Sequence, residues 1–303
     1  AFVHLPEEPV ELDPSGADEL AYLQYTSGST RFPRGVMITQ QTVMSNLSAM
    51  ITYGIELQQS DRVVSWLPFY HDMGLVGMVL APLAAQISVD YLSPRDFAMR
   101  PRLWLKLMSE NRGTISFSPP FGYELCQRRL RPNDVKALDL DSWRVAGVGA
   151  EPITLEPLKC FAETLAPAGF NKNAFVAGYG MAECTLAVSF SPLGLGMIAD
   201  NVERDHLVNF QKAIPFNPAI GDMTSGMKTF VSCGEPLPGY DVQVRNEHGR
   251  VLPERQVGTL FVRGPSVMRG YFNDDEATQE VLSEDGWFDT GDLAYWNANS
   301  III

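Results

Sequence analysis

From about residue 20 to residue 190, short apolar runs alternate with stretches whose apolar positions recur every three or four residues. The first pattern predicts strands and the second amphipathic helices. Strands are expected over 20–25, 36–38, 62–67, 87–91, 114–118, 143–148 and 174–178, and helices over 40–53, 101–111, 121–130 and 155–165. Alternation of the two is the mark of an α/β layer. Gly, Pro or a polar turn follows each strand closely, so ligand-binding loops are expected to cluster at the strand ends. Beyond about 190 the texture changes: short β-branched runs at 228–233, 241–245 and 258–263 are split by turns such as Glu235-Pro236-Leu237-Pro238-Gly239. They predict a small antiparallel sheet or distorted barrel. The 193–227 stretch, rich in Gly, Asn and Asp, is longer than an ordinary connection and is expected to be functional, partly ordered or an insertion. The chain therefore divides into a lead-in linker (1–19), an α/β subdomain (20–192), a probable insertion (193–227) and a β-rich subdomain (228–303).

Composition narrows the class. The 303 residues are 45% hydrophobic and 19% charged, globular values for a chain longer than one minimal domain. No apolar run approaches the ~18 residues of a membrane span. Glu7, Glu8, Glu11, Asp13, Asp18 and Glu19 make the start acidic, the opposite of a signal or transit peptide, so a cytoplasmic protein is expected. The net charge of −13 argues against a nucleic-acid partner but not against a nucleotide held in a local pocket. Cys126, Cys160, Cys184 and Cys233 share no metal-ligand spacing and read as reduced, buried thiols. Both ends read as incomplete, with Ala1 opening into a Pro-rich lead-in and Ser300-Ile301-Ile302-Ile303 halting on bare aliphatics.

The strongest local chemistry lies in Tyr25-Thr26-Ser27-Gly28-Ser29-Thr30-Arg31-Phe32-Pro33-Arg34-Gly35. Ser and Thr hydroxyls, glycine-exposed backbone N–H groups and two arginines can surround an anion, and a polyphosphate suits them. No Gly-Lys-Ser/Thr closes the loop, so it is not a Walker A motif. A solvated Ser/Gly linker is the alternative, weakened by the β-type runs on both sides.

Four further segments accompany this loop: Trp66-Leu67-Pro68-Phe69-Tyr70-His71-Asp72-Met73-Gly74-Leu75; Gly178-Tyr179-Gly180-Met181-Ala182-Glu183; Gly258-Thr259-Leu260-Phe261-Val262-Arg263-Gly264 running on to Gly270-Tyr271-Phe272; and Trp287-Phe288-Asp289-Thr290-Gly291-Asp292-Leu293. In this order and spacing the five motifs resemble those of the adenylate-forming enzymes, the superfamily of acyl-CoA synthetases, adenylation domains and luciferases. Ser-Gly-Ser-Thr-Arg in the first motif, with Tyr70-His71-Asp72 and Tyr179-Gly180-Met181, is similar to the fatty acyl-AMP ligases, in which an insertion falls where 193–227 lies.

The resemblance implies a large N-terminal domain of layered α/β sheets with a small distorted antiparallel β-barrel subdomain. It also implies ATP-dependent, Mg²⁺-dependent activation of a medium- or long-chain fatty acid to acyl-AMP. The acyl group would then pass to the 4′-phosphopantetheine of an acyl carrier protein. Transfer to CoA and a non-catalytic adenylate-binding scaffold are the alternatives. By the same resemblance Thr26, Ser27, Gly28, Ser29 and Thr30 would bind the β- and γ-phosphates, with Arg31 and Arg34 as charge partners. Gly149, Ala150 and Glu151 would line the adenine side, and Gly178, Tyr179, Gly180, Met181 and Ala182 would complete the nucleotide site with Tyr179 stacked on the purine. Glu183 would hold Mg²⁺, Asp292 would bind the ribose hydroxyls, and His71 would stand between nucleotide and carboxylate. Met73, Gly74, Phe117, Ser118 and Phe121 would wall the acyl chain. Read without the resemblance, Tyr179 could be a core tyrosine, Glu183 a helix-start acid and His71 a structural histidine. The family's catalytic lysine is expected in a C-terminal domain outside this sequence. Two basic clusters, Arg128/Arg129/Arg131 and Arg100/Arg102/Lys106, read as solvated helix faces, with carrier docking as the alternative.

Overall fold

The computed structural model describes residues 13–26, 33–219 and 226–303. The chain begins with an antiparallel hairpin of β1 (Leu20–Tyr25) and β2 (Gly35–Thr39), in which Tyr25 faces Gly35. Its neck is closed twice, by the Thr26 N–H donating to the Arg34 carbonyl at 3.0 Å and the Arg34 N–H donating to Thr26 Oγ1 at 3.2 Å. Thr39 ends the hairpin and caps the helix Gln40–Ala49, exchanging hydrogen bonds with Thr42 in a capping box that satisfies donors at the helix start.

The central sheet contains β3 (Arg62–Ser65), β4 (Ser88–Tyr91), β5 (Ile115–Ser118), β6 (Val145–Val148), β7 (Phe175–Gly180) and β8 (Ala187–Phe190). After a separate antiparallel ribbon of β9 (Ala199–Glu203) and β10 (Met227–Val231), the short β11 (Glu235–Pro236) joins this sheet at its edge beside β8. The spatial order is β11-β8-β7-β6-β5-β3-β4, with β3 to β7 parallel and β8 and β11 antiparallel to their neighbours. Every residue of β5 and β6 is buried, as parallel strands covered on both faces require. The helices Arg102–Glu110, Pro120–Arg129 and Leu155–Leu165 lie within two residues of the bounds expected from their periodicity. Their apolar faces meet the sheet in an aromatic core that includes Trp104, Tyr123, Trp143, Phe161 and Phe175.

A four-stranded antiparallel meander follows, in the order β12 (Asp241–Arg245), β13 (Gly258–Arg263), β14 (Phe288–Asn297), β15 (Ser300–Ile302). Beyond residue 190 the pairing of strands departs from the sequence reading. The strand expected over 228–233 belongs to the ribbon with Ala199–Glu203 rather than to this meander, and the 193–227 stretch holds a strand and the helix Arg204–Phe210. Its pattern is weak because a distant polar cluster anchors it: buried Asp200 accepts from Arg255 Nη1 at 3.2 Å and from the Tyr295 hydroxyl at 2.7 Å. The return of β11 to the central sheet also crosses the boundary expected at residue 192. Cys126, Cys184 and Cys233 are buried and Cys160 half-buried, all as free thiols. Among the described residues no helix is long and apolar enough to cross a membrane.

Candidate active site at the carboxyl ends of the parallel strands

A cavity of about 1110 Å³ opens over the carboxyl ends of β5, β6 and β7 and is also lined by the hairpin neck and the start of β14. Strand ends supply Phe117, Val148, Gly149, Ala150 and Gly178–Gly180. The tight passage from β7 to β8 depends on Gly180, where a Cβ would lie 1.8 Å from the Leu186 carbonyl oxygen, so no larger residue fits.

One part of the lining is polar. Tyr179 donates its hydroxyl to Asp292 Oδ2 at 2.6 Å, joining β7 to β14 across 113 residues. Burial, then the Asp292 charge, pushes the Tyr179 phenol well above its ordinary range, so it stays a donor. Asp292 is presented by a turn in which its N–H donates to Thr290 Oγ1 (3.1 Å) while the Gly291 N–H donates to Asp289 Oδ1 (3.0 Å). Glu183 follows β7 in a short 3₁₀ turn, and the Tyr271 hydroxyl donates to its Oε1 at 2.9 Å. Burial raises the Glu183 carboxyl above the ordinary range. The charges of Asp72 and Asp292 add to this, while the Tyr271 hydroxyl opposes it. His71 Nδ1 lies 2.7 Å from Asp72 Oδ1, and that hydrogen bond lifts the imidazole above its usual value against the opposing effect of burial. Asp72 also caps the turn that follows by accepting from the Met73 N–H at 2.6 Å. Gln24 of β1 donates to the Tyr70 carbonyl at 2.9 Å, tying the hairpin to the His71 loop.

The other part is apolar. Met50, Ile55, Met73, Met78, Ala81, Phe117, Leu186 and Phe190 line the same cavity. Phe190 crosses the edge of Phe117 at 6.1 Å.

Of the residues expected at the site, Thr26, Arg34, His71, Met73, Phe117, Gly149, Ala150, Gly178, Tyr179, Gly180, Met181, Ala182, Glu183 and Asp292 line this one cavity. Ser27, Gly28, Ser29, Thr30 and Arg31 lie outside the described residues. Gly74, Ser118, Phe121 and Glu151 are not in the lining. Gly74 packs against the chain, where a Cβ would sit 2.1 Å from the Pro68 carbonyl oxygen. Ser118 is buried with its hydroxyl donating to the Pro119 carbonyl, Phe121 sits edge-on to Trp66 with nearly half its surface exposed, and Glu151 is exposed. Tyr271, Asp72, Leu186 and Phe190 are lining residues that the sequence reading did not assign. Tyr271 and Asp72 sat inside quoted motifs, which was their only signal; Leu186 and Phe190 carried none beyond being apolar.

Among the described residues no group of three or more His, Cys, Asp or Glu side chains forms a protein-built metal cage. Mg²⁺ takes one or two carboxylates and completes its shell with phosphate oxygens and water, and Glu183 offers one such carboxylate to the cavity. Burial, then the charges of Asp72 and Asp292, raise the Glu183 carboxyl, and a cation bound beside it would act against that shift.

The basic clusters are largely matched by acids: Arg128 pairs with Glu124, Arg100 with Asp96, Arg102 with Asp134 and Lys106 with Glu110. Exposed pairs of this kind are ordinary helix-surface features.

The model of the family described as AMP-binding enzyme matches residues 3–272. A putative acyl-CoA synthetase of Caulobacter vibrioides is 45% identical over 286 residues, covering 94% of this chain and 49% of its own length. The medium-chain-fatty-acid–[acyl-carrier-protein] ligase JamA of Moorena producens is 36% identical over 300 residues, covering 95% of this chain and 49% of its own. A solved structure from a study of fatty acyl-adenylate ligases of E. coli and L. pneumophila superposes with a TM-score of 0.91 at 52% identity, over 99% of this chain and 54% of the other. The chain thus spans about half the length of the curated relatives it matches.

Proposed function

The chain belongs to the AMP-binding enzyme family, and from that premise we propose that the full-length protein activates a medium- or long-chain fatty acid as its acyl-adenylate and hands the acyl group to an acyl carrier protein. The observation that carries this reading is the continuity of one cavity from the Tyr179–Asp292–Glu183 wall to the Met50–Ile55–Phe190 wall. A mixed anhydride of AMP and a lipid acid has the same two halves. Apolar lining rewards each buried methylene by about 0.8 kcal/mol.

In the proposed reaction a fatty carboxylate oxygen attacks the α-phosphorus of ATP. The bond to the β-phosphate oxygen breaks, and pyrophosphate leaves. No covalent enzyme intermediate is needed, so the protein's task is to position reactants and neutralise charge. Tyr179 offers its flat face to the purine. Asp292 accepts from the ribose hydroxyls, a task for a two-oxygen acceptor. Arg34 and the 26–31 loop meet the phosphates, and His71, oriented through Asp72, faces the attacking carboxylate. Glu183 would hold a Mg²⁺ whose charge neutralises phosphate oxygens.

The choice of acceptor is supported by the carrier-protein ligase of M. producens, whereas the C. vibrioides relative bears an acyl-CoA synthetase name. The test is hydroxylamine trapping of acyl-AMP across a panel of fatty acids, followed by transfer to CoA and to phosphopantetheine-bearing carrier protein. Acyl-AMP with preferential carrier loading is expected. Rapid acyl-CoA formation overturns the carrier assignment, and absence of acyl-AMP with every acid overturns the activation. Removing residues 195–217 is expected to raise activity toward CoA if that segment restricts the acceptor.

A further inference from the structure

Arg34 and Glu183 face the same cavity with opposite charge, yet among the described residues no ion pair joins them. A guanidinium and a buried carboxylate in one pocket ordinarily form a direct, charge-assisted pair. Here Tyr271 stands at both. Its hydroxyl donates to Glu183 Oε1 at 2.9 Å, and the Arg34 guanidinium carbon lies 5.1 Å from the centre of its ring. A tyrosine can do both because its edge carries a donor while its face attracts a cation. Among the described residues Arg34 forms an ion pair with Glu280, 4.0 Å away and exposed, a contact of small energetic weight.

Tyr271 is itself firmly held. Its N–H donates to Thr278 Oγ1 at 2.9 Å, and it bridges to Val36 of β2. The flanking Phe272 N–H donates to the Gly35 carbonyl (2.8 Å) and Gly270 accepts from the Met37 N–H (3.0 Å). The turn carrying Glu183 is tied to the same segment by the Met268 N–H donating to the Glu183 carbonyl at 2.7 Å. Tyr271 is 4% exposed, so its hydroxyl is not a surface group that happens to reach a carboxylate.

We propose that Tyr271 is a positioning residue that keeps Arg34 and Glu183 apart, so that one side chain sets the cation at the phosphate-loop neck and the anion that receives Mg²⁺. Collapsed onto each other, the two charges would cancel and neither would serve a metal–nucleotide ligand. The inference rests on the adenylation reading above and adds to it a residue that touches neither reacting atom.

The experiment uses the full-length enzyme with Tyr271→Phe and Tyr271→Leu. Tyr271→Phe keeps the ring and removes the hydroxyl. It is expected to raise the Mg²⁺ concentration for half-maximal pyrophosphate exchange about 10-fold, while calorimetric ATP affinity without Mg²⁺ stays at the wild-type value. Tyr271→Leu removes the ring as well and is expected to weaken Mg²⁺-free ATP binding about 5-fold in addition. A merely structural tyrosine would lower the melting temperature and the active fraction but leave both of these quantities unmoved, and that result overturns the proposal. If wild type forms acyl-AMP and Tyr271→Phe matches it at every Mg²⁺ concentration, the inference falls and the adenylation reading stands. A wild-type enzyme that binds no ATP in calorimetry refutes both together.

Discussion

The aromatic core and the cavity are built from adjoining parts of the same parallel strands, and they treat polar atoms in opposite ways. In the core, between the sheet and its covering helices, Trp104, Trp143 and Tyr123 spend their heteroatoms on protein partners, while Trp66 Nε1 is buried without one. Trp104 donates to Ser116 Oγ at 2.9 Å, Trp143 to the Val145 carbonyl at 2.8 Å, and Tyr123 to the Gly147 carbonyl at 2.8 Å. Trp104 is centred 5.3 Å from both Tyr123, tilted to it, and Trp143, edge to face with it. At the cavity, Glu183 after β7, His71 after β3 and Asp292 on β14 keep further acceptor or donor capacity. Satisfied polar groups fix one packing, and unsatisfied ones at a cavity are a reserve for a ligand. Stability and function should therefore come apart by mutation.

The largest separation is expected in the core. Trp104→Ala should cost about 3–5 kcal/mol in urea unfolding, while the fraction that remains folded binds ATP normally. A folded variant with wild-type stability and impaired ATP binding would break the division. Next comes Glu183→Gln, expected to reduce acyl-AMP trapping about 100-fold. Burial raises the Glu183 carboxyl, so in the folded state its ionisation at neutral pH opposes folding, and removing the charge should leave the urea midpoint unchanged or higher. A clear fall in that midpoint would show that Glu183 is a structural acid. Tyr179→Phe keeps the flat ring and removes the bond to Asp292; about 5-fold weaker ATP binding is expected by calorimetry. Equal affinity would mean that the Asp292 carboxylate needs no help from β7.

The smallest effect lies at the opposite, amino-terminal ends of the strands. Burial would raise the Asp61 carboxyl, but hydrogen bonds from Arg144, the Gln58 N–H and Thr114 together hold it below its ordinary value. A carboxyl depressed by folding stabilises the protein above its unfolded value, about pH 3.9, and that contribution disappears as pH falls through the folded value. Wild type should therefore lose urea resistance more steeply than Asp61→Asn between pH 5 and pH 2. Parallel losses would show that the pair is energetically silent.

Legibility in the sequence followed the range of the interactions involved. The strands Leu20–Tyr25, Asp241–Arg245 and Gly258–Arg263 and the helix Leu155–Leu165 carry their bounds in local periodicity and turn residues. The five motifs were visible because each is a contiguous run, and the family follows from them. Ala199–Glu203 was not visible, since what secures it, Arg255 and Tyr295, lies more than fifty residues away. Gly74 was assigned to a ligand wall because a glycine in a motif looks the same whether it admits a ligand or the Pro68 carbonyl.

Order and spacing along the chain were enough to determine the α/β class, the family and fourteen of the residues that line the cavity. Local sequence carries periodicity and loop chemistry directly, which is why these survive without coordinates. The tertiary structure alone decided that Tyr271 stands at both Arg34 and Glu183, that Tyr179 bonds Asp292, and that Met50, Ile55 and Phe190 line the same cavity as the carboxylates. Those are relations between side chains on separate elements. They depend on strand order and on the register of packing, which no short stretch of residues records.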